Sequence, residues 1–321
     1  MRITRILMVF VSVICFTVSA GAQDYPTKPV QVIIPFTAGS GTDFVGRTIG
    51  QKLSEMWGQP VVVENHPGAG GTIGASVVAE AAADGYTLLE YSSAFAVSPA
   101  LYKKLPYDPM KDFVGIAPLV RQPMALVVGS SSGVKSVSEV IEKAKANPGE
   151  IKFGSPGIGS AAHFAAEQLN IEAKINVVHV PYKGGPETIA ATADGSVTYS
   201  FLPLVLGLKG VKAGKLRVLG VTSAERLSSM PDVPTIAEVG FTGFEANVWW
   251  GIWAPAGIPA STVDKLKKDI VQALAAPEVI KQFKKRKFEL MSMTSAEFER
   301  FVLNEMETAA RIVKEAGIKR K

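Results

Sequence analysis

The sequence predicts a two-lobed α/β protein with a cleft between the lobes, and three observations predict it. Short apolar runs of strand length recur along the chain, each closed by a small-residue loop and followed by a helical pattern, as in strands that feed helices onto the faces of a sheet. This plan occurs as two sets, one on each side of about residue 123. Finally, 321 residues are more than one hydrophobic core comfortably serves, while 47% hydrophobic and 20% charged residues exclude disorder. The 30 Gly and 20 Pro fall between the apolar runs and not in blocks, so collagen-like and low-complexity readings fail.

The first element is not part of the globule. Arg2 and Arg5 make a basic start, residues 6–18 are mostly apolar, and Ala20-Gly21-Ala22 supplies the small residues of a cleavage site. Residues 1–22 are therefore read as a signal peptide, and the product as an exported, periplasmic protein. No later run approaches the roughly 20 apolar residues that a bilayer demands. A lipoprotein reading of Cys15 fails because Ile14 stands where a small residue is needed. Cleavage removes two arginines and no acid, so the formal net charge falls from +5 to +3, and it removes the only cysteine. The mature chain thus has no disulfide, thiolate nucleophile or thiolate metal site. The cationic run from Lys281 to Lys287 lacks interleaved aromatics and reads as a solvated face, not a nucleic-acid surface.

In the first set, Val30 to Ile34 is a strand ended by Pro35, and the loop from Phe36 to Asp43 opens a helix with Val45, Ile49, Leu53 and Met56 on one face. Val61 to Val63 repeats the plan, followed by His66 to Gly71 and a helix from Thr72 to about Ala83. Tyr86 to Tyr91 is a third strand before the loop from Ser92 to Phe95. In the second set, Met124 to Val128 is a strand, Ser136 and Glu139 form a capping box, and Ile151 to Phe153 is a strand whose loop from Gly154 to Ser160 feeds another helix. The run from Asn176 to Val180, then Pro181 to Gly185, introduces one more helix, and strands near 197–201 and 216–222 complete the set. The last third is helical, with capping boxes at Ser261/Asp264 and Thr294/Glu297. Crossings between the lobes fall at about Arg121 to Met124 and Glu245 to Trp249. The first domain is then discontinuous, 23–123 plus 246–321, and 124–245 is the second.

Ligands of open α/β sheets sit outside the carboxyl ends of the strands, where these loops lie. Each loop leads into a helix N-terminus, whose free N–H groups and positive dipole end favour an anion. Carboxylate capture is the implied chemistry. Enzymatic signals are weaker. Gly129-Ser130-Ser131-Ser132-Gly133 formally matches a nucleophile elbow, but the tight turn into a helix is missing. The rival reading is an exported serine hydrolase acting on small esters through Ser131. Gly68, Gly70 and Gly74 have the wrong spacing for a dinucleotide fingerprint, and His66, His163 and His179 lack metal-ligand spacing. His66 and His179 read as structural, and His163 as a candidate ligand neighbour. Asp43 reads as a first-turn acid, and Trp249, Trp250 and Trp253 as a core-packed strand crossing between the domains.

Several runs carry a resemblance: Tyr25-Pro26-Thr27-Lys28-Pro29-Val30; Pro35-Phe36 with Gly39 and Asp43; Pro60 to Asn65 with Pro67 to Gly71; and Asp84 to Leu89. In the same order come His179 to Gly184, Pro231 to Glu238 and Ala254 to Pro259. The chain is similar over its whole mature length to the Bug family of tricarboxylate-transporter solute receptors. The resemblance implies a type II periplasmic binding protein, or Venus flytrap, without catalytic activity, cofactor or metal. It further implies a monomer that closes on a small carboxylate and is read by inner-membrane transporter subunits or a sensor kinase. Carried over by position, the contacts are Phe36, Gly39, Ser40, Ser92, Ser93 and Ala94 in the first domain. Those in the second are Ser155, Gly157, Ser160, His163, Tyr182, Lys183 and Gly184. Three departures bear on the ligand: Ser40 replaces a usual glycine, Phe95 stands in a usually polar loop, and Thr198 follows Val197 where relatives often have an acid. Together they favour a carboxylate with an apolar or aromatic body over an amino acid.

Overall fold

The computed structural model describes residues 25–321, so the signal-peptide reading of residues 1–22 lies outside the described residues. Strand β1 (Val30–Ile34) runs parallel to both β2 (Val61–Asn65) and β3 (Thr87–Ser92). Helices α1 (Gly41–Trp57) and α2 (Thr72–Ala79) make the crossovers. The apolar spacing fixes how α1 lies: Val45, Ile49 and Leu53 are buried on one stripe, and Gly58 in the left-handed region ends the helix. After α3 (Ala94–Leu101), the 17-residue strand β4 (Phe113–Gly129) leaves the first sheet and enters the second.

The second sheet repeats the parallel unit with β5 (Lys152–Ser155), β6 (Val178–Pro181) and β7 (Tyr199–Pro203), and β8 (Leu216–Val221) pairs with the far edge of β4. Helices α4 (Val137–Ala146), α5 (Ala161–Ala173), α6 (Gly185–Ala193) and α7 (Leu204–Lys212) belong to this half. The chain returns through β9 (Asn247–Pro255), and α8 (Ala260–Leu274), α9 (Pro277–Lys285), β10 (Glu289–Leu290) and α10 (Ser295–Glu315) finish the first half. The first sheet has the order β2-β1-β3-β9-β4.

Both sheets are mixed, parallel within the strand-loop-helix units and antiparallel where β4 and β9 join them. The parallel units survive, but β4 carries the chain out and β9 carries it back, so they pair antiparallel from Phe113↔Pro255 to Pro123↔Asn247. From Met124 onward the partners of β4 are β7 and β8. The first half of β4, α3 and α7 escaped the sequence reading. Of the three expected capping boxes, only Thr294/Glu297 is complete. Ser136 Oγ accepts the Glu139 N–H, but Glu139 reaches back to the Lys135 N–H, one residue too early for a box. The box at Ser261/Asp264 is wrong, because α8 begins at Ala260 after Pro259 and no side chain caps it.

Apolar layers cover both faces of each sheet. Val32, Leu88 and Ile252 face α1, α8 and α9, whereas Leu89, Tyr91, Trp249 and Trp253 face α2, α3 and α10. In the second half Leu126, Phe153 and Phe201 form the larger cluster. A smaller cluster joins the halves away from the crossing strands: Phe164 and Ile171 of α5 meet Leu101, Ile312 and Val313. Among the described residues no helix is long and apolar enough to cross a membrane.

Candidate functional site

Three helix N-termini converge on one cavity of about 360 Å³ between the two halves. The β1–α1 loop contributes Phe36, Ser40, Gly41 and Thr42, and the β3–α3 loop Ser92, Ser93 and Ala94. The β5–α5 loop contributes Pro156 to Ala162 from the other side. The first turns of α1, α3 and α5 therefore lie at the walls of a single space, and their positive dipole ends attract an anion without a cationic clamp. Among the described residues, the only charged side chain lining the cavity is that of Lys321. The remaining lining includes hydroxyls on Ser40, Thr42, Ser92, Ser93, Ser98 and Ser160, and apolar groups on Val97, Leu101, Ile158, Val248 and Trp250.

The first wall is set by a charged network. Ser40 caps α1, its Oγ accepting the Asp43 N–H at 3.2 Å. Asp43 Oδ2 accepts the Gly39 N–H at 2.9 Å, and Oδ1 accepts from Arg47 Nε and Asn65 Nδ2, both at 2.9 Å. Asn65 Nδ2 also donates to the Phe36 carbonyl. Burial pushes the Asp43 carboxyl upward, but the bonds from Gly39, Asn65 and Arg47 outweigh it and hold the group below its ordinary value. Asp43 is thus an ionised first-turn brace, as its position in the sequence suggested. Trp250 closes the floor by donating its indole N–H to Thr42 Oγ1 at 3.1 Å.

The second wall is set by backbone and neutral side chains. Ser160 caps α5 through the His163 N–H, and its hydroxyl donates to the Gly157 carbonyl at 2.8 Å. Gly157 and Gly159 have φ of +129° and +91°, a region costly for residues with a Cβ, and this explains why the loop carries glycine at those points.

Of the residues carried over from the resemblance, Phe36, Ser40, Ser92, Ser93, Ala94, Gly157 and Ser160 meet at the cavity. The others do not line it. Gly39 turns its N–H to Asp43, while Ser155 and His163 are buried at 0% and 2% exposure. Tyr182 donates its N–H to the Ser155 carbonyl, and Tyr182, Lys183 and Gly184 are not among the residues that line the space.

Two ligand arguments lose their footing. Phe95 is fully buried and stacks on Trp253 at 4.4 Å, in the core and not in the cleft. Val197 is buried, and the Thr198 N–H bonds the Lys152 carbonyl at the start of β5, the end of that strand remote from the Ser155 loop. Thr42, Ser98, Trp250 and Lys321 were missed as lining residues. Trp250 sits beside two core tryptophans and shares their signal, and Lys321 is brought in by a backbone pairing with Leu101 and Lys103 and by the Arg320 bonds to the Pro99 and Tyr102 carbonyls. Ser131 is exposed in the turn after β4. The imidazole of His179 contacts Ser155, not Ser131.

A two-lobed α/β frame, with strand ends and helix N-termini facing across a cleft that holds a single charged side chain, defines a solute-binding receptor. The chain belongs to the tripartite tricarboxylate transporter family receptor (TctC) family, which it matches over residues 45–318. Protein BugT of Bordetella pertussis is 34% identical over the full length of both chains. Among solved structures, R. palustris Rpa4515 with adipate is 32% identical, with a TM-score of 0.81 over 93% of this chain and 100% of that one. MatC (Rpa3494) from Rhodopseudomonas palustris with bound malate is 30% identical, with a TM-score of 0.77 over 90% of this chain and 100% of that one.

Proposed function

We propose that the protein is a periplasmic receptor that captures a small organic carboxylate in this cleft without transforming it. It presents the closed form to inner-membrane subunits of a tripartite tricarboxylate-type transporter or to a sensor. The convergence of the α1, α3 and α5 N-termini on one cavity carries the reading. The adipate and malate bound by the two similar receptors support the ligand class. Val97, Leu101, Ile158 and Trp250 favour a ligand with an apolar body between its polar ends.

Closure is by hinge: residues 23–123 with 246–321 form one unit and 124–245 the other, turning about the two crossing strands. Ligand bridging both units favours the closed form by its difference in affinity for the two forms. The mature chain works as a monomer and needs no cofactor.

The test is a thermal-shift screen of residues 23–321, unfolded and refolded to remove carried-over ligand, against mono-, di- and tricarboxylates. A true ligand stabilises by about 2.7 kcal/mol at a hundredfold excess over Kd. Stabilisation by no acid in the panel, or turnover of an ester that is lost in Ser131→Ala, would contradict the reading.

A further inference from the structure

The loops entering α1 and α5 share one local plan. In Gly39-Ser40-Gly41-Thr42-Asp43 and in Gly159-Ser160-Ala161-Ala162-His163, a glycine precedes the serine cap and the third helical residue reaches back to the glycine N–H. Asp43 Oδ2 accepts the Gly39 N–H at 2.9 Å, and His163 Nδ1 accepts the Gly159 N–H at 3.3 Å. An accepting Nδ1 carries no proton, so His163 is the neutral imidazole with its proton on Nε2, 3.6 Å from Glu167 Oε1.

The His163 ring stacks on the ring of His179 with centroids 3.9 Å apart, and His179 stacks on Phe153 at 4.7 Å. His179 Nε2 lies 2.7 Å from Ser155 Oγ, at the start of the same loop. One pair of stacked rings thus engages both ends of the segment that forms the second wall.

We propose that His163 and His179 form a clip that positions the Ser155 to Ser160 loop and keeps an acidic side chain out of the first turn of α5. This deepens the receptor reading above and rests on it. An acid in the first turn compensates a helix dipole and competes with a bound anion. The first turn of α1 holds ionised Asp43, whereas that of α5 holds no acid. The titratable groups beside the rings are Glu167, one turn further along α5, and Tyr199 on β7, whose hydroxyl donates to Asn170. Burial, reinforced by the His163 ring, pushes His179 down to about 3, so it too is neutral near pH 7.

Substitutions separate the clip from mere packing. Asn at 163 and Gln at 179 keep a polar atom near the Nδ1 and Nε2 positions, while Phe at either keeps the stack and loses the contact. His163→Phe and His179→Phe are expected to speed amide hydrogen exchange across residues 155–160 about tenfold in the ligand-free protein, the worth of one hydrogen bond. His163→Asn and His179→Gln restore slow exchange. If one Phe variant fails to fold, the other gives the same readout. Unchanged exchange in the Phe variants overturns the clip.

His163→Asp keeps the acceptor and adds the charge, so it leaves exchange slow but weakens adipate or malate, measured by calorimetry, at least tenfold. Unchanged affinity overturns the charge argument. If the wild-type chain binds no carboxylate at all, the receptor reading falls, and the exchange experiment still decides the clip.

Discussion

The two walls of the cleft solve one problem with opposite chemistry. Each must hold a Gly-Ser loop rigidly against a helix N-terminus, and each places two titratable groups behind it. In the first wall these are Asp43, ionised within a network of Gly39, Arg47 and Asn65, and Glu90, fully buried with neither oxygen hydrogen-bonded among the described residues. Burial, with the Asp43 charge nearby, pushes the Glu90 carboxyl well above its ordinary value. In the second wall the pair is two stacked imidazoles. The comparison teaches that a brace can be rigid without carrying charge, and that the uncharged version leaves the helix dipole to the ligand.

The largest expected effect comes from cutting the charged brace. Asp43→Ala is expected to lose on the order of 2 kcal/mol in denaturant unfolding, because it removes the shared acceptor of the Gly39 N–H, Arg47 and Asn65. Since the folded pKa of Asp43 is lowered, its contribution is present above the unfolded value and is lost as pH falls through the folded one. Asp43→Asn is therefore expected to flatten the acid side of the stability curve, and an unchanged curve would show that the network does not act as a brace.

Glu90 carries the opposite sign. A raised folded pKa gives stability that is full below the unfolded value and is lost as pH rises toward the folded one. Glu90→Gln is expected to raise the melting temperature clearly at pH 8 and little at pH 4, read by melting at both pH values. A gain that is equal at both would mean that the Glu90 pKa does not differ between the folded and unfolded chain.

The caps rank next. Ser40→Ala and Ser160→Ala are expected to cost about 1 kcal/mol each, since the two caps are built alike. A much larger loss at Ser160 would show that the second wall depends on its cap more than on its rings. The smallest effect falls on Tyr182→Ala. Its backbone and not its side chain supports the Ser155 loop, so ligand affinity is expected to stay within about 0.5 kcal/mol of wild type. A large loss would bring the 182–184 loop back into the site.

The legible part of this molecule was local. Val30 to Ile34 followed by a Gly-rich loop and the stripe Val45, Ile49, Leu53 states a strand, a turn and a helix from side-chain period alone. The first half of β4 was not legible, because polar and proline residues interrupt it and its pairing to β9 spans more than 120 residues of chain. The α8 cap misled because Ser261 and Asp264 have the right spacing, yet Pro259 starts the helix earlier.

At the site, loops that face the cavity through their own serines and glycines could be read. His163 shares the same sequence neighbourhood but lies one layer back, and a period of two or of 3.6 does not reveal depth behind a loop. Lys321 reaches the cavity through a tertiary pairing that no local pattern encodes.

The central claim is that a carboxylate is held between two lobes by helix N-termini. The most direct test is a crystal structure of the mature chain with the most stabilising acid of the carboxylate screen. The account predicts the ligand in the cleft, one carboxylate accepting backbone N–H bonds from the first turn of α5 and the remainder lying against Ser40, Ser92 and Trp250. A ligand bound outside the cleft, or a carboxylate held by the Lys321 ammonium with no backbone donor from α5, would contradict it.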